Sequence, residues 1–152
     1  MTSDNNDIRT LNSLIETVID SADGYQHASR ETEHSRFNEI FARRGAERKM
    51  LVEQLQNEVR QLGGSPEDDG TLLASAHRMF LNLRHAVAGD DKAVIDEVES
   101  GEDHIKHKFE DALAATDLTQ DTRDIIADAY EIIKDGHDEI RDLKHAMQAG
   151  ER

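Results

Sequence analysis

Apolar residues recur along most of this chain at alternating steps of three and four, and this spacing restricts the possible folds more than any other feature. It places one apolar residue on the same side of an α-helix at every turn. The first such stretch runs from about Asp7 to Glu31, with these inward positions: Ile8, Leu11, Ile15, Val18, Ala22 and Tyr25. The pattern predicts an amphipathic helix with one buried side.

The same spacing predicts three further long helices, over Ser35–Leu62, from about Asp91 to Ala115, and over Gln120–Met147. The inward positions of the second helix are Phe37, Ile40, Phe41, Leu51, Leu55, Val59 and Leu62. In the other two they are Val94, Ile95, Val98, Ile105, Phe109 and Ala112, then Ile126, Tyr130, Ile133, Ile140, Leu143 and Met147. Glycine after the last apolar residue, followed by Pro66, ends the second helix.

A shorter amphipathic segment, residues 71–87, lies between the second and third long helices. Its apolar residues are Leu72, Leu73, Ala76, Met79, Phe80 and Leu83. As a helix it would be about 25 Å long at 1.5 Å per residue, enough to return the chain along a bundle. One long crossover is the ferritin-like arrangement of a four-helix bundle, which we favour. The alternative is a helix packed across one end of an up-down bundle.

Composition agrees with a single all-α domain. Only 4% of the residues are aromatic and Pro66 is the single proline, whereas a β-sandwich or barrel needs more aromatic and turn residues. The absence of cysteine excludes disulfides, thiolate metal sites and thiol catalysis. We expect a domain over residues 8–147 with flexible ends at 1–7 and 148–152. No segment resembles a signal peptide or a membrane span, so we expect a cytoplasmic location.

The net charge of −15 excludes two classes of partner. Duplex DNA and anionic membranes are bound through clustered lysine and arginine, which this chain does not provide. The most basic stretch, residues 43–49, is interrupted by an acid and covers barely two turns. We therefore expect no nucleic acid and no membrane among the partners.

Polar residues on the apolar seams are the candidates for chemistry. Glu102 lies between Val98 and Ile105 on the third long helix, and His137 lies between Ile133 and Ile140 on the last. A third candidate, Glu47, precedes Leu51 by one turn. Carboxylates and imidazole are ligands of iron, manganese and zinc. The alternative is that each is a boundary residue paired with a neighbouring charge or carbonyl group.

Glycines immediately precede two of these candidates, Gly101 before Glu102 and Gly136 before His137. A glycine in a helix interior costs about 1 kcal/mol relative to alanine. It permits either a close approach of two helices or a local bulge, and bulges are frequent at functional sites. Relief of crowding where helices cross is the simpler interpretation.

Three stretches together resemble a known family: Leu11 to Tyr25, the run Glu58 to Glu67 with its Leu-Gly-Gly-Ser-Pro break, and Gly101-Glu-Asp. They are similar to a bacterial family of ferritin-like four-helix-bundle proteins of unknown function. The resemblance covers about residues 8–147. It implies the ferritin-like fold and a metal site, and no established activity.

The resemblance also implies where metal ligands would lie. Carrying the ferritin-like ligand pattern onto this chain gives Ala22, Glu47, Met50, Glu102, Lys134 and His137. Alanine, methionine and lysine replace three ligands, so Glu47, Glu102 and His137 remain. Counted from the last short loop, the levels of Glu102 and His137 differ by about 7.5 Å along the helix axes. A paired oxidative di-iron centre is therefore not expected.

Two functions follow as expectations. The first is a non-enzymatic structural or interaction protein that needs no cofactor and forms a homo-oligomer. The second is a protein that binds iron, manganese or zinc, or a di-iron-type oxidase, using Glu47, Glu102 and His137. The segment 71–87 could also form a partner or dimer surface.

Overall fold

The computed structural model describes residues 2–32, 34–68 and 91–150. These residues form four α-helices: α1 (Thr2–Glu31), α2 (Ser35–Gln61), α3 (Asp91–Ala114) and α4 (Gln120–Gly150). The prediction of an all-α chain with four long helices is confirmed for this part of the chain. α1 begins five residues earlier than predicted, and α4 ends three residues later.

The turns between the helices are closed by the groups that the sequence provides there. At the start of α2, the ring Nδ1 of His34 accepts a hydrogen bond from the Arg36 N–H at 3.2 Å. At its end, Gly63 has a positive φ of 84°. The N–H groups of Gly63 and Gly64 donate to the carbonyls of Arg60 and Val59, both at 3.0 Å. This is the Schellman arrangement, in which glycine accepts a left-handed conformation that other residues resist.

The hydrophobic core consists of two clusters, one toward each end of the bundle. The first contains Leu11, Leu14, Ile15, Val18, Leu51, Leu55, Ile105, Phe109, Ile126 and Ile133, among others. The second contains Tyr25, Ala28, Phe37, Phe41, Val94, Ile95, Val98, Ile140 and Leu143. The two clusters are separated by about two turns on α1, α3 and α4, and by nearly three turns on α2. The side chains at that middle level include buried Arg48 and Glu102, so a polar layer divides the core.

Hydrogen bonds between helices establish the helix directions. Asp7, near the start of α1, accepts from the N–H of Thr119 just after α3, at 3.0 Å. At the other end, the His34 N–H donates to Asp91 Oδ2 at the start of α3, at 3.2 Å. α1 and α3 are therefore antiparallel. Because the short turn after Glu31 also makes α1 and α2 antiparallel, α2 and α3 run in the same direction.

The chain leaves α2 at the end opposite to the one where it enters α3. The N–H of Glu67 donates to Asn12 Oδ1 at 2.8 Å, which fixes it beside the first half of α1. The predicted crossover helix over residues 71–87 lies outside the described residues and stays a prediction, as do the domain boundaries at residues 8 and 147. None of the helices in the described ranges is long and apolar enough to cross a membrane.

Candidate functional site

The polar layer in the middle of the bundle is centred on the carboxylate of Glu102, whose residue is 1% exposed. Its Oε1 accepts a hydrogen bond from the Tyr25 hydroxyl at 2.7 Å. Its Oε2 lies 3.0 Å from Nη2 of Arg48. A buried carboxylate needs such partners, because removing a charge from water without compensation is very costly. Three helices, α1, α2 and α3, therefore supply one connected group.

Arg48 is fully removed from solvent, at 0% exposure. Its Nη1 donates to the Ser21 hydroxyl at 2.9 Å. Its guanidinium carbon lies 5.4 Å from the centre of the Tyr25 ring, within the range of a cation–π contact. Its Nε is buried without a hydrogen-bond partner among the described residues. The guanidinium is thus held by one carboxylate, one hydroxyl and one aromatic face.

A glycine on the fourth helix makes room for this guanidinium. A Cβ at Gly136 of α4 would collide with Nη2 of Arg48, and it would lie 3.4 Å from Glu102 Oε2. The side chain of Arg48 therefore extends from α2 to the backbone of α4. Gly136 therefore relieves crowding between helices, which is the simpler interpretation of this glycine in the sequence. The group that needs the space is the buried guanidinium of Arg48.

The charges of the layer stabilise one another. Burial alone would lower the pKa of Arg48, but the negative charge of Glu102 and its hydrogen bond outweigh burial and raise that pKa. Burial and the neighbouring charge of Glu102 hold the pKa of the Tyr25 hydroxyl well above its ordinary value. The layer therefore contains a guanidinium cation and a neutral phenol at neutral pH.

Glu47 is one of the two predicted metal ligands other than Glu102. It lies at the edge of α2. Its side chain is 36% exposed, and its Oε1 lies 3.0 Å from Nη1 of Arg44. The next residue along the chain, Arg48, occupies the inward position instead. Met50, at the other ligand position that the resemblance assigns to this helix, is 62% exposed.

His137, the remaining predicted ligand, lies at the boundary between α3 and α4. Its Nε2 lies 2.7 Å from Asp103 Oδ1, and its Nδ1 lies 3.3 Å from Asp138 Oδ1. The imidazole is therefore engaged with carboxylates other than those of Glu47 and Glu102. Among the described residues, no group of three or more His, Asp or Glu side chains is arranged to hold a metal ion. The metal site stays a prediction.

The partner of Glu102 is what sequence reasoning missed. The inward positions of α2 include Phe41, Arg44, Gly45, Arg48, Leu51 and Leu55. Continuing the three-four spacing from Phe41 to Leu51 predicts an inward residue at 48. In the sequence, Arg48 belongs to the most basic stretch, residues 43–49, and only the spacing indicates its inward position.

The two buried charges of the layer bind each other. Both oxygens of Glu102 accept hydrogen bonds, and the carboxylate faces a cation that opposes its acting as a base or nucleophile. Arg48 does not titrate in the physiological range. The layer can fix the register of the helices, because sliding one helix along another would separate buried charged partners, which is costly.

Comparisons with known proteins identify a family but assign no activity. A search of curated proteins finds no match to the chain. A family model described as a domain of unknown function, DUF2383, matches residues 6–115. The matched range contains Tyr25, Arg48 and Glu102, and ends after α3. The chain therefore belongs to the DUF2383 family, whose function is not known.

Proposed function

We propose that this protein is a non-enzymatic structural or interaction protein with a ferritin-like bundle, in which a buried ion pair takes the place of a metal centre. The observation that carries the proposal is the contact of 3.0 Å between Arg48 and Glu102 in the middle of the core. A guanidinium at this position repels a divalent cation and already neutralises the buried carboxylate.

The helix directions support the ferritin-like part of the proposal. α2 and α3 run in the same direction, with Glu67 fixed beside Asn12 and Asp91 fixed beside His34 at the opposite end. A single long connection between parallel second and third helices distinguishes ferritin-like bundles from simple up-down bundles. A helical crossover over residues 71–87 fits this requirement in length.

Metal binding through Glu47, Glu102 and His137 is the competing proposal. It requires three rearrangements of the described geometry. Glu47 must exchange Arg44 for the bundle interior, and His137 must leave Asp103. Arg48 must also move away from Glu102, which would leave a buried cation unpaired. The three side chains as placed do not form a common set of donors for iron, manganese or zinc.

Metal analysis of the purified full chain, expressed with iron, manganese and zinc in the medium, tests the proposal. We expect fewer than about 0.2 metal ions per chain and no rise in melting temperature on adding metal, because a ligand of the native state would stabilise it by mass action. The same measurements are made on Glu102→Gln and on a control, Asp111→Asn, at an exposed position of α3.

One result would overturn the proposal in favour of a metal protein. It is a content near one ion per chain that disappears in Glu102→Gln and persists in Asp111→Asn.

The homo-oligomer is part of the proposal, and light scattering measures its mass. Changing Phe80 to glutamate tests the sequence-based expectation that residues 71–87 form a dimer surface, because an unchanged mass would contradict it.

A further inference from the structure

Among the described residues, one side of the bundle is less closely packed than the other three. Close helix packing joins α1 to α2, α3 to α4, and α1 to α3, whereas α2 and α4 are not among the closely packed pairs. Two cavities lie along the groove between α2 and α4, with volumes of about 240 and 690 Å³. Arg44 of α2 and Glu139 of α4 both line the larger cavity, and they form an ion pair at 2.8 Å.

The smaller cavity has an apolar floor and an acidic edge. Its apolar lining residues are Leu51, Leu55, Ile125, Ala129 and Ile132. Ile125 and Ile132 are only partly buried, so they present apolar surface to the groove. The polar residues at its edge are Gln54, Glu58 and Asp128, and no basic residue lines it.

The larger cavity continues the groove with more carboxylates. Asp135, Asp138, Glu139 and Asp142 line it from α4, and the apolar residues Ile40, Leu143 and Ala146 lie among them. Of its two basic lining residues, Arg44 is already bound to Glu139 and Glu47. Over both cavities, six carboxylates and two guanidiniums form the lining. Glu139 is already bound by Arg43 and Arg44, and Asp138 and Asp142 each lie 3.5 Å from Arg141.

The acidic edge belongs to a longer pattern on α4. Acidic residues occur on the outer part of this helix at steps of three and four, at Asp121, Asp124, Asp128, Glu131, Asp135, Asp138 and Asp142. All are exposed except Asp138, which is partly buried. Like charges four residues apart on a helix destabilise it slightly, so the repetition has a cost to the isolated chain.

An exposed methionine lies on α2 beside the same groove. Met50 is 62% exposed, and it is the one exposed large hydrophobic residue in the described part of the chain. It lies one turn before Gln54, which lines the smaller cavity. Flexible thioether side chains are frequent on surfaces that bind partner helices.

We propose that the groove between α2 and α4 binds a basic amphipathic helix of a partner protein. The proposal rests on the interaction role proposed above and names the class of partner. The groove extends from Ile125 to Ala146 on α4, about 32 Å, which is the length of a helix of about 20 residues. An apolar face would cover the floor, and lysine or arginine on the flanks would meet the carboxylates.

Charge favours this occupant over a second copy of the chain. Each copy has a net charge of −15, so two grooves facing each other would bring carboxylates together. Juxtaposed like charges oppose association, whereas opposite charges speed encounter and fix the partner's position. A basic helix also relieves the repulsion along α4.

Two synthetic 18-residue peptides with the same leucine spacing test the proposal, one with lysine and one with glutamate at the polar positions. Their binding to the full chain is measured by fluorescence anisotropy at 150 mM salt. We expect the lysine peptide to bind and the glutamate peptide not to bind. Binding of both with similar affinity would contradict the charge argument.

Variants distinguish the groove from general attraction to an acidic protein. The groove variant combines Glu58→Gln, Asp128→Asn and Asp142→Asn. The control combines Glu53→Gln, Asp111→Asn and Asp117→Asn, three exposed acids elsewhere on the chain. We expect the groove variant to bind the lysine peptide about tenfold more weakly and the control to lose less than about threefold. Met50→Ser, at an exposed site, should also weaken binding.

Equal losses in the two triple variants would overturn the proposal, since they would show attraction by net charge alone. Self-association through the groove, detected by light scattering and abolished in the groove variant, would also overturn it. A third result would also overturn the proposal, namely binding of the lysine peptide only after Arg78→Glu and Arg84→Glu are introduced. Residues 71–87 of the chain itself would then be the occupant of the groove. Metal analysis decides the proposed function independently of each of these results.

Discussion

Gly136 of α4 lies directly against the guanidinium of Arg48, so that even one added methyl group at residue 136 would collide with Nη2. The contact joins α2, which carries the cation, to α4, which contributes no side chain to the layer at this position. The polar layer thus involves all four helices, three through side chains and the fourth through the absence of one.

Substituting alanine for Gly136 should destabilise the protein, by about 2 kcal/mol or more in the free energy of unfolding. The sign is informative, because helix propensity alone predicts a gain of about 1 kcal/mol for glycine to alanine. Overpacking a filled interior has the opposite effect. Urea denaturation measures the difference. A more stable Gly136→Ala protein would show that Arg48 has room to move aside.

Removing the cation should be among the most damaging single changes. Arg48→Met leaves Glu102 buried without its charged partner, and we expect a loss of about 3–5 kcal/mol. The double variant Arg48→Met with Glu102→Leu should lose less than Arg48→Met alone, because no uncompensated charge remains. Thermal and urea unfolding of the single and double variants give the coupling.

Lys144→Met provides the matched control for that experiment. Lys144 Nζ of α4 lies 2.7 Å from Glu99 Oε1 of α3, so this pair also joins two helices, but both side chains are more than a fifth exposed. An exposed ion pair contributes about 0–1 kcal/mol. A loss in Lys144→Met as large as that in Arg48→Met would contradict the importance that we assign to burial.

Asp7 should be a second sensitive position, at one end of the bundle. It is fully buried and accepts hydrogen bonds from the Thr119 hydroxyl at 2.6 Å and the Thr122 hydroxyl at 3.0 Å, besides the Thr119 N–H. Asp7→Ala leaves these donors unpaired, so we expect a loss of about 2–3 kcal/mol in chemical denaturation. Asp111→Ala, at an exposed site, should change stability by less than about 0.5 kcal/mol.

Stability should fall in alkaline solution because of Tyr25. Its pKa is held well above 10.0 in the folded protein by burial and by the charge of Glu102. The native state therefore keeps a proton that the unfolded chain releases, and the stabilisation present below pH 10 is lost as the pH rises. The maximum slope for one such group is about 1.4 kcal/mol per pH unit.

Tyr25→Phe should flatten the dependence of unfolding free energy on pH above 10, measured by urea denaturation at several pH values. Tyr130→Phe is the comparison. A hydrogen bond to Glu110 and burial raise the pKa of Tyr130 to about 12, but this tyrosine is only partly buried. Its removal should flatten the slope less. An unchanged slope in Tyr25→Phe would show that other groups control alkaline unfolding.

Periodicity was sufficient to predict the four described helices and most of their core, because a three-four spacing places apolar residues along one side of a helix. It also identified Glu102 as a polar residue on an apolar seam. It could not identify the partner, since the distance from Glu102 to Arg48 depends on how two helices far apart in sequence are placed side by side. Residue type gave no indication that position 48 is inward, because arginine is seldom buried.

Local spacing also could not predict the boundary position of His137 or the role of Asp7. A single seam through Ile133 and Ile140 admits both Gly136 and His137, and packing against Arg48 decides between them. Asp7 was predicted at the very start of the first helix, where an acid is common for local reasons. Its bond to Thr119 joins residues 112 apart, which no local pattern contains.

The polar layer also has a consequence for the order in which the chain folds. The hairpins α1–α2 and α3–α4 are each closed by short turns, so their contacts form between residues near in sequence. Arg48 and Glu102 are 54 residues apart and meet only when the two hairpins dock. Both must lose their water at that step, and such long-range contacts slow folding. Docking should therefore limit the folding rate, and Arg48→Met with Glu102→Leu should fold faster than the wild-type chain in stopped-flow experiments.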